Sequence, residues 1–204
     1  WHFSNGNVDI AILETGLGGR LDSVTACDSK LLVCTSISKD HQHILGDTIE
    51  EIAYEKISAL QKKMNCISHN HNKSVKNIFD AYSKKFDIKI NYIDSDSNNQ
   101  KTSLNGQHQL DNQALAIHTI KFFKKWNITD KHIKKGLSSV CWPGRIQKIF
   151  NQPHVYFDVA HNHDSFLSLC NFIKMINGKK ILILALQKHK KINTIIDTIE
   201  NIFD

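Results

Sequence analysis

Glu14 closes an apolar run, Val8-Asp9-Ile10-Ala11-Ile12-Leu13, and opens a glycine cluster, Thr15-Gly16-Leu17-Gly18-Gly19-Arg20. A carboxylate at the carboxyl end of a strand in an open α/β sheet can hold Mg²⁺ on a nucleotide's phosphates, and glycines let backbone approach them closely. The spacing matches neither the phosphate-loop nor the dinucleotide fingerprint, so a turn that merely joins strand to loop is an equal reading. Asp40-His41 follows a second apolar run and would stand at the same edge of such a sheet. Imidazole is an uncommon ligand for a hard ion such as Mg²⁺, so taken alone His41 reads as a loop histidine.

Lys56 lies on the wrong side of its own helix. At about 100° per residue, Ile49, Ile52, Ala53, Lys56 and Leu60 share one stripe, with Ile57 at its margin. A lysine on an apolar face must lose its proton, find a partner or snorkel to water. A desolvated amine can also take up carbon dioxide as a carbamate, an anionic metal ligand. The only two arginines of the chain, Arg20 and Arg145, both follow glycine in a background where lysine is the common cation. That placement suits a planar fork aimed at phosphate or carboxylate.

The elements needed to position these groups can be traced along the chain. Strands are expected at Val8–Glu14, across Lys30–Ser38, near Cys66, at Ile88–Ile93, at Val155–Ala160 and at Ile181–Leu186. Helices are expected from Thr48 to Lys63, where Thr48 and Glu51 form a capping box, and near Val75–Lys84. Further helices are expected at Asn112–Trp126, with a broad face of Leu115, His118, Phe122, Phe123 and Trp126, and around Lys131–Leu137, ending near Gly136. Ser165–Ile176 and Ile192–Phe203 complete the set. The polar tract Asp94–Thr102 reads as a surface loop. A turn at Trp142-Pro143-Gly144-Arg145 marks a domain boundary, after which strand and helix alternate as in a parallel α/β layer.

With 204 residues, 41% of them hydrophobic, the chain can bury a core and hold one or two domains. No stretch approaches the roughly 18 apolar residues of a membrane span, so a soluble protein is expected. The opening Trp1-His2-Phe3-Ser4 has neither an initiator methionine nor the pattern of a signal peptide, and reads as a start in mid-domain. Five cysteines without a CxxC pair point to free thiols in a reducing, cytoplasmic compartment. The net charge of +6 comes from lysines spread singly or in pairs, which favours a solvated surface over a nucleic-acid patch. It would also suit ATP and an acidic substrate. Ser68-His69-Asn70-His71 and His161-Asn162-His163 read as surface histidines, with no cysteine placed to complete a zinc site.

The run VDIAILETGLGGRLDSVTACDSKLLVCTSISKDHQHILGDTIEEIAYEK resembles the core of the folylpolyglutamate / dihydrofolate synthases, within the Mur ligase superfamily. Their pattern is E-x-G-L-G-G-R-L-D, then T-x-I-x-x-D-H, then L-G-x-T-x-x-x-I-A-x-E-K. Gly106-Gln107-His108-Gln109-Leu110-Asp111-Asn112, Trp142-Pro143-Gly144-Arg145 and Phe157-Asp158-Val159-Ala160-His161-Asn162 continue it in order.

The resemblance implies an α/β, Mur-ligase-like fold. Residues 1–140 would be the C-terminal part of a P-loop-type ATPase domain, and residues 141–204 the start of a Rossmann-like C-terminal domain. It implies Mg²⁺ on Glu14 and His41, a carbamylated Lys56 with a possible second divalent cation beside it, and ATP near Asn112, Arg145 and Asp158. His161 would stand close to the reaction, and Leu21, Asp22 and Ser23 would border the pterin site. The implied activity joins L-glutamate to dihydropteroate or a reduced folate through an acyl phosphate, in a monomer without nucleic-acid or membrane partners.

Departures are Ser23-Val24-Thr25 in place of A-T-N after Asp22, His163 in place of the proline of A-H-N-P, and Lys188-His189-Lys190 where an acidic D-K-D pattern is expected. The family's G-x-x-G-K-[ST] loop does not occur in these 204 residues, so no ligation is expected from them alone. A peptidoglycan-precursor Mur ligase and a catalytically dead basic binding remnant are the alternatives.

Overall fold

The structure, a computed structural model, describes residues 2–94, 101–187, 192–200 and 202–204. A one-turn helix α1 (His2–Asn5) is followed by an irregular segment over residues 8–15 and a short 3₁₀ turn (Ser23–Ala26). Then come β1 (Leu31–Cys34), α2 (Gln42–Leu45), α3 (Ile49–Ile57), β2 (Asn65–His69), α4 (Lys73–Phe86) and β3 (Ile90–Ile93). The remaining elements are α5 (His108–Phe122), α6 (Asp130–Ser139), β4 (Gln147–Asn151), β5 (His154–Phe157), α7 (His163–Lys174) and α8 (Ile192–Ile199).

β1, β2 and β3 form a parallel sheet in that order, with Cys66 opposite Leu32 on one side and Ile90 on the other. Successive side chains on a strand point to opposite faces, and here the two faces carry different cores. Cys34 and Cys66 pack with Ala53, Ile57, Leu60, Val75 and Phe79, the inward stripes of α3 and α4 and the turn after α3. Ile67 and Ile93 pack instead with Ala114 and Leu115 of α5. The result is a helix–sheet–helix sandwich whose middle strand is buried from Cys66 to His69. Open parallel sheets of this kind receive ligands beyond the carboxyl ends of their strands, which here leads to residues 35–41 and 70–72.

The capping box at Thr48 and Glu51 is formed: Thr48 Oγ1 accepts the Glu51 N–H, and the Glu51 carboxylate accepts the Thr48 N–H at 3.0 Å. α3 stops at Ile57, not at Lys63, because the chain tightens into turns there and Lys63 takes a positive φ of 71°. α5 starts four residues earlier than expected and ends at Phe122; of the expected face only Leu115 is buried, together with Gln109, Gln113, Ala114 and Ile117. α6 runs through Gly136 to Ser139.

Three expected strands come out differently. Val8–Glu14 carries no regular structure and has no ladder partner among the described residues, and Ile12 is 89% exposed. An apolar run becomes a strand only where neighbouring backbone takes up its N–H and C=O groups. The same reason applies to residues 181–187, which carry no regular structure. β5 exists, but as the second arm of an antiparallel hairpin with β4, not as part of a parallel layer. Ring contact between Tyr156 and Phe172, with centroids 5.4 Å apart, holds α7 against that hairpin, and Phe166 and Cys170 of α7 are buried. Most of the Asp94–Thr102 tract and all of Lys188-His189-Lys190 lie outside the described residues.

Candidate active site

The glycine cluster is a loop docked onto α3. Gly18 has a φ of +64°, and a side chain there would meet Leu45; Gly19 passes so close to α3 that a Cβ would lie 3.0 Å from the carbonyl oxygens of Glu55 and Lys56. The Arg20 N–H donates to the Glu55 carbonyl at 3.0 Å, and its Nε donates to the Glu55 carboxylate at 2.9 Å. Arg20 therefore finds its carboxylate within the chain. Asp22 ties the loop from inside, accepting N–H bonds from Gly16, Leu17 and Val24, each at 3.0 Å. Those bonds, led by Leu17 and Val24, hold its carboxyl below the usual carboxylate range. Ser23 opens the 3₁₀ turn that Asp22 caps. Leu21 is left 82% exposed beside it, an apolar side chain with no partner surface of its own.

Glu14, at the head of this loop, is exposed, and so is His41, which adopts a left-handed φ of 52° before α2. The expected pair of neighbouring strand ends is not realised: only the loop bearing His41 follows a paired strand, because residues 8–14 join no ladder. Among the described residues no three acidic, histidine or cysteine side chains converge as a metal set. Lys56 is half-buried at the edge of the α3 stripe, whose buried members are Ile52, Ala53 and Ile57. The lysine is thus flanked by apolar contacts without being sealed in.

The second half of the site is built on a strained turn. Gly144 has a φ of +73°, and Ile146 a φ of +45°, which is costly for a β-branched residue. Three bonds over-determine it. The Ile146 N–H donates to Asp158 Oδ2 at 2.7 Å, the Asn105 amide donates to the Ile146 carbonyl at 2.9 Å, and the Val159 N–H donates to the Gly144 carbonyl at 3.0 Å. Ile146 itself is 1% exposed, so the turn is nailed down by burial as well. The exposed Arg145 sits between these two residues, its backbone fixed and its guanidinium open to solvent. Asp158 spends both oxygens on backbone, since Oδ1 accepts the Ala160 N–H at 2.8 Å.

Asn112 is exposed near the start of α5, with its amide donating to Gln109 Oε1 at 3.1 Å. It also reaches His69 at the end of β2. Burial lowers the His69 pKa, and the Asp111 charge and the Asn112 hydrogen bond push partly back. The histidines of residues 68–71 are therefore not surface groups. His69 is 9% exposed, and His71 meets Ser68 Oγ at 3.1 Å and stacks edge-on to Phe79. A central strand buries whatever residues occupy its last positions, which local spacing could not reveal. His108 was not singled out by sequence spacing either. It lies within the fields of Asp158, Arg145 and Asp111, with burial as the main influence lowering its pKa, and its neighbourhood in Gly106-Gln107-His108 was the available signal.

The two halves meet at Asp40. Its Oδ2 accepts the Asn162 amide N–H at 2.9 Å and lies 3.2 Å from His161 Nε2. The loop after β1 and the turn before α7 are thereby brought together across 122 positions of sequence. An open groove of about 470 Å³ lined by Leu45, Glu50, Glu51, Tyr54, Glu55 and Ile78 runs along α3, sharing Leu45 and Glu55 with the contacts of the glycine loop. Three carboxylates make that groove unsuited to phosphate.

No family model matches the chain. A solved complex of folylpolyglutamate synthase with AMPPCP and folate superposes with a TM-score of 0.82, at 26% identity over 89% of this chain and 50% of the solved one. The fold is therefore that of the Mur-ligase-like synthases. The dihydrofolate synthase/folylpolyglutamate synthase of Bacillus subtilis (strain 168) is 32% identical over 96% of this chain and 52% of the relative. That of Buchnera aphidicola subsp. Acyrthosiphon pisum (strain APS) is 34% identical over 98% and 52% respectively. The chain belongs to the folylpolyglutamate synthase/dihydrofolate synthase family. It spans about half the length of the curated relatives it matches.

Proposed function

We propose that these residues form part of an ATP-dependent ligase that joins L-glutamate to a folate-type carboxylate, dihydropteroate or a reduced folate. The observation that carries this reading is the meeting at Asp40 of two motifs far apart in sequence, the Asp40-His41 loop and the Ala160-His161-Asn162 turn. Ligands held between two segments are gripped from both sides, and the turn that Asp158 braces, two residues before Ala160, carries the exposed guanidinium of Arg145 on a fixed backbone.

In the proposed reaction the substrate carboxylate takes the γ-phosphoryl group of ATP, the glutamate amine displaces phosphate from the acyl phosphate, and an amide results. Such chemistry depends on positioning and charge neutralisation. Arg145 supplies a guanidinium whose backbone is locked by the Gly144–Ile146 turn. Asp158 keeps that turn in place, and His161 stands at its far side. Asn112, exposed near the start of α5, would contact the adenine nucleotide, and the exposed Leu21, beside Asp22 and Ser23, would border a pterin. Glu14 and His41 would hold Mg²⁺, which neutralises phosphate charge when bound. Lys56, as a carbamate, would present an anion at the end of α3, against which the Gly18–Arg20 loop is packed.

The deciding assay follows ATP-dependent incorporation of labelled glutamate by the protein carrying these residues, with dihydropteroate, tetrahydrofolate and a UDP-muramyl acid as acceptors. Incorporation into a pterin acceptor supports the reading. Phosphate release with the muramyl acceptor alone reverses it in favour of a peptidoglycan-precursor ligase. For Lys56, the expected results are loss of activity in Lys56→Ala, partial recovery with short carboxylic acids, and a mass increase of one carbon dioxide on the native side chain. An unmodified lysine without rescue removes that assignment.

A further inference from the structure

Asp40 is engaged on three sides. Oδ1 accepts the backbone N–H of His41 at 2.8 Å, and Oδ2 faces both the Asn162 amide at 2.9 Å and His161 Nε2 at 3.2 Å. Its side chain is 20% exposed, against 49% for His161, so the carboxylate lies in the joint and not on the rim.

The partners are equally committed. Asn162 Oδ1 accepts the Ser165 N–H at 3.0 Å as the N-cap of α7, which leaves its NH₂ to point at Asp40. Hydrogen-bonding roles thus fix which way the amide is turned. His161 Nδ1 lies 2.9 Å from the Val159 carbonyl, so its ring is gripped at both nitrogens. One carboxylate therefore sets the rotamers of two successive residues on the far side of the joint, while its second oxygen shapes the backbone of His41. Bonds to a charged acceptor are stronger and shorter than neutral ones, which suits a positioning role.

We propose that Asp40 is a positioning residue that clasps the Ala160–Asn162 turn to the His41 loop and holds His161 and Asn162 in register with it. That this register serves nucleotide chemistry rests on the proposed function. The clasp itself does not, and its test needs no ligand.

The test is a double-mutant cycle read by urea denaturation on the 204-residue chain. Asn162→Asp keeps an N-cap acceptor for α7 but turns a carboxylate oxygen toward Asp40 where a donor stood. It should weaken the folded state by on the order of tenfold in the unfolding constant when Asp40 is present, and by less than twofold in the Asp40→Ala background, the coupling expected within one hydrogen-bonded network. Equal effects in the two backgrounds overturn the clasp.

A second readout follows the ring ¹⁵N signals of His161. Asp40→Ala should move the Nε2 resonance, and Asp40→Asn, which retains a carbonyl acceptor, should recover part of that shift. A His161 ring that is blind to residue 40 also overturns the proposal. Should Asp40→Ala fail to fold, Asp40→Asn carries both measurements. Glutamate ligation that fails while the cycle holds would remove the ligase reading and leave the clasp standing.

Discussion

Replacing Gly19 by alanine should destabilise the fold, although a glycine-to-alanine change ordinarily does the opposite. At Gly19 the added methyl would sit 3.0 Å from the Glu55 carbonyl, the Lys56 carbonyl and the Ala59 Cβ. All three belong to the end of α3 or the turn after it, beneath which Ala59 and Leu60 are buried, so none can retreat as a flexible side-chain tip would. Relief must come from lifting the loop, which strains the Arg20 N–H bond to Glu55 at 3.0 Å. Overpacking of this kind costs about 1–3 kcal/mol. For a chain of this size that corresponds to a fall in Tm of about 2–12 °C, at roughly 2–4 °C per kcal/mol. Gly136 is the matched control: it is exposed within α6, and a Cβ there would meet nothing within 4 Å. Gly136→Ala should stabilise by about 0.5–1 kcal/mol through helix propensity alone. The assay is thermal unfolding of both variants beside the parent chain. A Gly19→Ala protein as stable as the parent would refute the tight docking of the glycine loop on α3.

Acid should weaken the fold before ordinary carboxylates titrate. Burial, reinforced by His69, depresses the His71 pKa to about 4 from 6.5. The unfolded chain therefore binds a proton that the folded one refuses, and stability present above about pH 6.5 is lost as pH falls toward 4. The slope is at most about 1.4 kcal/mol per pH unit, and less because the ring is partly exposed. His71→Gln should flatten that part of the urea-midpoint profile; an unchanged profile would clear His71 of the effect. Thr48→Ala should cost about 1 kcal/mol by removing the α3 capping box, measurable as a lower urea midpoint at unchanged slope. With a thiol reagent on the native chain, Cys27 and Cys141 should react promptly, while the buried Cys34, Cys66 and Cys170 should wait for unfolding. Prompt reaction of Cys66 would contradict the sheet core described here.

What could be read from the amino-acid order was whatever local chemistry dictates. Thr48 and Glu51 announced the start of α3 because a capping box is a four-residue device. Asn72 did the same for α4 in fact, yet it was not read as a cap within its histidine-rich surroundings. The motifs from Glu14 to Asn162 likewise appear in order along the chain and needed no coordinates. Strand identity did not follow from apolarity. Val8–Glu14 and residues 181–187 are as apolar as β2, but only backbone partners convert a run into a ladder, and those are non-local. The direction of β5 was hidden for the same reason: a strand pattern is silent about whether its neighbour runs with or against it.

The site divides along that line. The types and positions of Arg20, Asp22, Lys56, Arg145 and Asp158 were visible in sequence. Only the tertiary structure decided that Arg20 spends its guanidinium on Glu55, that Asp22 and Asp158 brace backbone turns, and that His69 is buried at the end of the middle strand with His71 half-buried just beyond it. Asp40 lay in a recognised motif, yet its contact with His161 at 3.2 Å and Asn162 at 2.9 Å depends on packing that joins segments about 120 positions apart. Sequence spacing sets what lies within a helical turn or a strand period; the partner of a charge in a distant segment is set by how the whole chain closes.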